Sequence, residues 1–120
     1  MRRVKFGAEK VVEKPWGKEI WCDLNDRFCF KVIHINKGHK TSLQYHDFKT
    51  EMMLVVSGVA RVTFDDPGGA RNITSLEAGE SICLPPGTVH RVEALSDLVI
   101  HEASSPEVWD VVRLDDDYER

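Results

Sequence analysis

The sequence predicts an all-β single domain, either a barrel or a two-sheet sandwich, and three observations carry that reading. Short runs rich in β-branched and aromatic residues recur along the chain, separated by Gly, Pro, Asn and Asp. Apolar side chains at i, i+3, i+4 and i+7 are nearly absent, so helix signals are weak. The 120 residues amount to one domain by length, and 42% hydrophobic residues give it a core.

The expected strands follow in order: Lys18–Cys22, Phe28–Ile35, Thr41–His46, Met52–Val56, Ala60–Phe64, Asn72–Leu76, Ser81–Leu84, His90–Ala94, Leu98–Ala103 and Trp109–Leu114. The turns between them have local causes. Asn25-Asp26, Lys37-Gly38, Ser57-Gly58, Asp66-Pro67-Gly68-Gly69, Ala78-Gly79 and Pro85-Pro86-Gly87 supply a positive or a preset φ. Asp115-Asp116-Asp117 reads as a solvated tail. There is no repeat, linker or low-complexity tract.

Composition narrows the function classes. Sixteen Lys and Arg against twenty Asp and Glu leave a net charge of -4, so the basic footprint of a nucleic-acid binder is missing. The longest apolar run, around Met52–Val56, is far short of a membrane span. Met1-Arg2-Arg3-Val4-Lys5 leads into no apolar segment, so a cytoplasmic protein without a secretory signal is expected. Cys22, Cys29 and Cys83 form no C-x-x-C pair and read as buried or half-buried thiols of a reducing compartment. Cys83 is also weighed as a nucleophile because it lies near a motif described next.

Metal-ligand residue types cluster at Gln44, His46 and Glu51, with His90 arriving later. Strand alternation puts Gln44 and His46 on one face, with Ser42 and Lys40 joining them if the strand is regular that far back. A short turn over Asp47–Thr50 can return Glu51 to the side of His46, and His90 opens a strand after the rigid Pro85-Pro86-Gly87 turn. Two imidazoles, a carboxylate and an amide oxygen can bind a divalent first-row ion and leave positions open.

The frame around these residues resembles a known one. Gly38, Gln44, His46, Glu51 and Gly58 form one block, and Gly79, Pro85, Gly87 and His90 a second, at the offsets of the paired motifs of the cupin superfamily. Gln44 stands where that family usually has His, and Ala94 where it has Asn. Ser42-Leu43-Gln44-Tyr45-His46 is similar to the SLQ-x-H segment of type II phosphomannose isomerases. Lys14-Pro15-Trp16-Gly17, Val55-Val56-Ser57-Gly58, His90-Arg91-Val92-Glu93 and the stretch from Asp110 to Arg120 are similar to further segments of the same cupin domain. The similarity runs from about Glu13 to Arg120.

The resemblance implies a cupin-type jelly-roll β-barrel (a double-stranded β-helix) with one metal, most often zinc, held by Gln44, His46, Glu51 and His90. Manganese, iron, nickel or cobalt also suit such a donor set. It implies a mannose-6-phosphate isomerase-like activity that interconverts an aldose and a ketose through an enediol. Arg113, Lys49 and Ser42 are then the substrate-binding candidates. Glu102 is the first candidate base, isolated on an apolar strand face with Leu98 and Ile100. Lys40 is the second, and Arg113 completes the catalytic set. Another cupin enzyme, an epimerase or an oxygenase, or a non-catalytic sugar-binding protein is the alternative. His34, His39 and His101 read as structural or surface histidines. Trp16, Trp21 and Trp109 read as packing residues, and Arg91 as lying outside the barrel. The expected partners are a sugar or sugar phosphate and a second copy of the chain, with residues 1–13 as an arm in the dimer interface and no nucleic acid or membrane.

Overall fold

A computed structural model describes residues 10–118 of the chain. Eleven strands are present among them: β1 (Lys10–Lys14), β2 (Gly17–Leu24), β3 (Cys29–Ile35), β4 (Leu43–Tyr45), β5 (Glu51–Ser57), β6 (Ala60–Asp65), β7 (Arg71–Leu76), β8 (Ser81–Leu84), β9 (His90–Ala94), β10 (Leu98–Ser104) and β11 (Val112–Asp115). They form two antiparallel sheets, a six-stranded one ordered β1-β2-β3-β10-β5-β8 and a five-stranded one ordered β11-β4-β9-β6-β7. The two face each other as a jelly-roll barrel, the all-β class that the strand pattern predicts.

Alternation sets what lies between the sheets. In β5, Glu51, Met53 and Val55 are buried while Met52, Leu54 and Val56 are exposed. In β9, His90, Val92 and Ala94 are buried, with Arg91 and Glu93 half-buried between them. Ile33, Ile35, Val55, Val62, Leu84, Val92, Leu98 and Ile100 make a continuous apolar core. Register then separates polar from apolar layers. Cys29, Ser104 and Glu51 lie in one row, Lys31, Glu102 and Met53 in the next, and Ile33, Ile100 and Val55 in the third. The barrel is therefore greasy along most of its length and polar towards one end.

Several local expectations are corrected. The strand expected over Thr41–His46 shortens to Leu43–Tyr45, because the preceding residues run beside β9 as an irregular crossover. Gly38 N donates to Ala94 O, Thr41 N to Val92 O, and Ala94 N to His39 O, while Lys40 forms an isolated bridge with Glu93. The strand expected over Trp109–Leu114 begins only at Val112, since Asp110 N donates back to Glu107 O in a turn after Pro106. Trp109 consequently does not pack: it is 72% exposed, with the exposed Phe48 ring 6.4 Å away. Cys83 is exposed rather than buried, since it points outward beside Met52. The acidic tail is tied down, not free: Asp117 pairs with Lys40 at 3.2 Å, and Arg91 donates to Asp115 O at 3.1 Å. The expected arm is described only from Lys10 onward, where β1 pairs with β2 of the same chain; residues 1–9 lie outside the described residues.

Candidate metal centre

Three strands and one turn assemble the centre. Gln44 in β4 lies directly opposite His90 in β9. His46 follows β4, and Glu51 opens β5. The connecting turn is held by Asp110, whose carboxylate accepts hydrogen bonds from the backbone N–H groups of Asp47 (3.0 Å), Phe48 (2.7 Å) and Lys49 (3.0 Å). Thr50 N donates to Ser105 Oγ at 3.0 Å and completes the turn.

The ligand atoms converge. His46 Nε2 lies 3.1 Å, and His90 Nε2 2.9 Å, from the same Glu51 Oε1. Each ring directs its other nitrogen to a backbone carbonyl: His46 Nδ1 to Asp110 O at 2.5 Å, and His90 Nδ1 to Thr88 O at 2.9 Å. With each Nδ1 turned to a carbonyl, Nε2 is the atom that each ring would offer to an ion at the centre, which is how proteins orient metal-binding imidazoles. One atom from each of His46, Glu51 and His90 lies within 4.8 Å of the others, and all three residues are buried. Gln44 Oε1 accepts from Ser42 Oγ at 2.8 Å, which fixes the amide and leaves its oxygen a second lone pair. Two imidazoles, one carboxylate and one amide oxygen fit a divalent ion.

Charge around the centre is closely arranged. Glu51 gives its second oxygen, Oε2, to the Lys49 ammonium at 3.4 Å. Burial alone would raise the Glu51 pKa, but hydrogen bonds from Glu102, His46 and His90, with Lys49 beside it, hold it well below the usual carboxylate range. Glu102 moves the opposite way. Burial and the neighbouring Glu51 charge push its carboxyl well up, so Glu102 keeps a proton and donates it to Glu51. Lys49 stays protonated: burial pulls its pKa down, and the Glu51 carboxylate, charged and hydrogen-bonded to it, pulls it further up.

These groups line a cavity of about 120 Å³. Among the residues singled out from sequence, Ser42, Gln44, His46, Lys49, Glu51, His90, Glu102 and Arg113 all face it. Arg113 sits opposite Gln44 in the β11–β4 pair and is exposed, at the rim of the opening. Lys40 does not line it. The regular alternation stops short of Lys40, and its ammonium is committed to Asp117. Cys83, Arg91, His34, His39 and His101 are also outside the lining. The His101 ring meets Phe30 edge-on, and the His39 ring stacks on Tyr118.

One wall of the cavity is formed by Lys14, Trp16, Glu19, Trp21 and Lys31, of which the sequence suggests Trp16 and Trp21 only as packing residues and does not single out Glu19 or Lys31. Trp16 is buried in the core as expected and also faces the cavity. Trp21 Nε1 donates to Glu19 Oε1 at 3.0 Å, Lys31 Nζ lies 3.3 Å from the same oxygen, and the Lys31 ammonium stands 4.3 Å from the indole centroid. A signal for Lys31 was present: a lysine inside the run Cys29-Phe30-Lys31-Val32-Ile33 must either face water or find a buried partner.

Comparison with known proteins gives concordant matches. The family model described as Mannose-6-phosphate isomerase C-terminal matches residues 2–116. The mannose-1-phosphate guanylyltransferase of Escherichia coli (strain K12) is 36% identical over 123 residues, covering 98% of this chain and 25% of that protein. The alginate biosynthesis protein AlgA of Pseudomonas aeruginosa is 33% identical over 114 residues, covering 91% of this chain and 23% of that one. The chain thus spans about a quarter of the length of these relatives. Among solved structures, KdgF from Halomonas sp. superposes with a TM-score of 0.74 at 17% identity, covering 85% of this chain and 94% of that chain. Oxalate decarboxylase from Bacillus subtilis superposes with a TM-score of 0.76 at 19% identity, covering 91% of this chain and 31% of that chain. These structures establish the cupin fold.

Proposed function

The chain belongs to the mannose-6-phosphate isomerase C-terminal family, and from that premise we propose that it is a metal-dependent aldose–ketose isomerase acting on a sugar phosphate of the mannose 6-phosphate type. The observation that supports this most is the placement of Glu102. This buried carboxyl lies in the cavity wall, hydrogen-bonded to Glu51 of the metal centre.

Isomerisation between an aldose and a ketose moves one proton between C2 and C1 while negative charge develops on the two adjacent oxygens. A divalent ion held by Gln44, His46, Glu51 and His90, zinc in our reading, supplies Lewis-acid stabilisation of that charge when bound. Glu102 would first give up its own proton to solvent, a loss that a cation held beside Glu51 would favour, and the freed carboxylate would then take the carbon-bound proton and return it to the neighbouring carbon. Lys49, paired with Glu51, keeps the carboxylate oriented and adds positive charge beside the reacting oxygens. Arg113 at the rim has the planar donor fork that an anionic substituent of the sugar requires. Ser42 fixes the Gln44 amide, so its contribution to substrate binding runs through that ligand.

The same reading makes the working unit a cytoplasmic homodimer. Its support is the exposed apolar row Met52, Leu54 and Val56 on the outer face of β5, where a solvated sheet ordinarily carries polar side chains. Sedimentation of the full chain checks the dimer.

The activity is tested by loading the protein with zinc, manganese, cobalt or nickel and incubating it with a panel of aldose phosphates in heavy water. Deuteron incorporation at C2 of mannose 6-phosphate, read by proton NMR, is the expected result. Absence of exchange with every sugar in the panel, from protein that retains its ion, overturns the proposal.

A further inference from the structure

We propose that Asp110 is the positioning residue of the metal centre, holding three of its parts in register from one buried point. The proposal rests on the metal-centre reading above. Asp110 lies in the turn between β10 and β11, distant in sequence from every ligand, and is only 4% exposed. Its backbone carbonyl accepts from His46 Nδ1, which sets the ring tautomer and aims Nε2 at the centre. Its carboxylate accepts from three successive backbone N–H groups, Asp47, Phe48 and Lys49. A carboxylate gathering three N–H donors closes the turn by charge-assisted bonds. That turn fixes two further things: the point at which β5 begins, and with it Glu51, and the position of Lys49, whose ammonium meets Glu51 Oε2.

The geometry distinguishes Asp110 from an ordinary loop anchor. An anchor holds backbone to backbone. Asp110 holds a ligand ring with one of its groups and the chain leading to the next ligand with another. It also ties the centre to the segment that carries Val111 and Arg113 into the cavity, so ligand placement and the rim arginine share one support. Removing the carboxylate should therefore spread the distance between His46 and Glu51 rather than merely loosen a surface turn.

The test measures Co²⁺ binding by wild type, His46→Ala, Asp110→Ala and Asp110→Asn, using competition with a chromophoric chelator and the visible spectrum of bound cobalt. Outer residues of this kind cost about 10–100-fold in metal affinity. Asp110→Ala should bind cobalt that much more weakly, with altered visible bands, and Asp110→Asn, which keeps an amide oxygen as acceptor, should fall between it and wild type. A change of fold stability alone would leave the visible bands unmoved. Wild-type affinity and spectrum in Asp110→Ala overturn the proposal, even if that variant unfolds at a lower temperature. Should Asp110→Ala fail to fold, Asp110→Asn decides by the same two readouts, with wild-type values overturning it. Failure of wild type itself to bind cobalt overturns the metal-centre reading instead, and His46→Ala tells the two failures apart.

Discussion

Gln44 lies directly opposite His90 across the β4–β9 pair. This one register position joins the early ligand block to the late one. Side chains opposite each other in an antiparallel pair share a face, so Gln44 and His90 enter the barrel together. A slip of one residue would turn His90 outward and put Arg91 in its place. The hydrophobic pattern opposes such a slip, since Val92 and Ala94 would leave the core with it.

Metal content follows directly from this arrangement. His46→Ala and His90→Ala should be purified without a stoichiometric ion, measured by elemental analysis after loading and desalting. His101→Ala should retain it, because that ring lies against Phe30 and off the cavity lining. Retention of a full equivalent by both His46→Ala and His90→Ala would remove the centre as assigned.

Much of this was legible in the sequence, for a physical reason. Strands have a period of two, and Glu51, Met53 and Val55 or His90, Val92 and Ala94 display it plainly. Ligand spacing is also a local property, so Gln44, His46 and Glu51 could be grouped before any fold was known. What stayed hidden acts across the fold or through the backbone. Asp110 works by accepting main-chain N–H bonds, and no residue pattern near it announces that. Lys40 would share the Gln44 and His46 face only in a regular strand, and the chain before Leu43 is a crossover that breaks the alternation. Trp109 reads as a packing residue from sequence, but the turn at Glu107–Asp110 turns it out to solvent.

Glu102→Gln should separate chemistry from binding. The amide keeps the shape and can still donate to Glu51, but it cannot shuttle a proton. Deuteron exchange at C2 should fall by about 10²–10⁴, with metal content unchanged and the KM for the sugar phosphate within about threefold. Exchange at the wild-type rate would exclude Glu102 as the proton carrier.

Arg113 and Lys40 should behave differently, although both are basic and both were candidates. Arg113→Ala, at the rim of the cavity, should raise KM for a phosphorylated sugar by about tenfold, equivalent to roughly 1.4 kcal/mol of lost binding. Lys40→Ala should leave KM unaltered, since its ammonium is paired with Asp117 in a half-exposed ion pair of the kind worth roughly 0–1 kcal/mol. Steady-state kinetics on the two variants checks this, and equal KM effects would contradict the assignment of Arg113 to the rim.

Thiol reactivity should report burial. Cys83, on the outer surface of β8, should react with a disulfide reagent in the folded protein, while Cys29 should react only on unfolding. Burial pushes the Cys29 thiol up, more than the nearby Lys31 ammonium lowers it, so raising the pH should not expose a reactive thiolate in the folded chain. Unfolded, the same thiol ionises near about 8.5. The folded state binds the proton more tightly, so the Cys29 contribution to stability is present below that pH and is lost as pH rises through the folded value. Cys29→Ser should flatten this alkaline fall in a denaturant titration of the metal-free protein.

The two glycines that bracket the first ligand block should differ in what they tolerate. Gly38 has φ +84° and Gly58 has φ +88°, so each lies where an L side chain is strained. Around Gly38 nothing lies within 4 Å of an added Cβ, so Gly38→Ala meets only the left-handed backbone penalty, about 1–2 kcal/mol. At Gly58 the Cβ would lie 2.2 Å from Asp97 O, a backbone atom next to the buried Leu98. Relieving that overlap must move either the β5–β6 turn or the start of β10, and with them the pairing that holds Val55 against Ile100. Gly58→Ala should therefore exceed the backbone penalty, with a loss of about 3 kcal/mol or more. Urea unfolding of the metal-free variants compares the two directly, and equal losses would mean that the turn at Gly58 yields without disturbing β10.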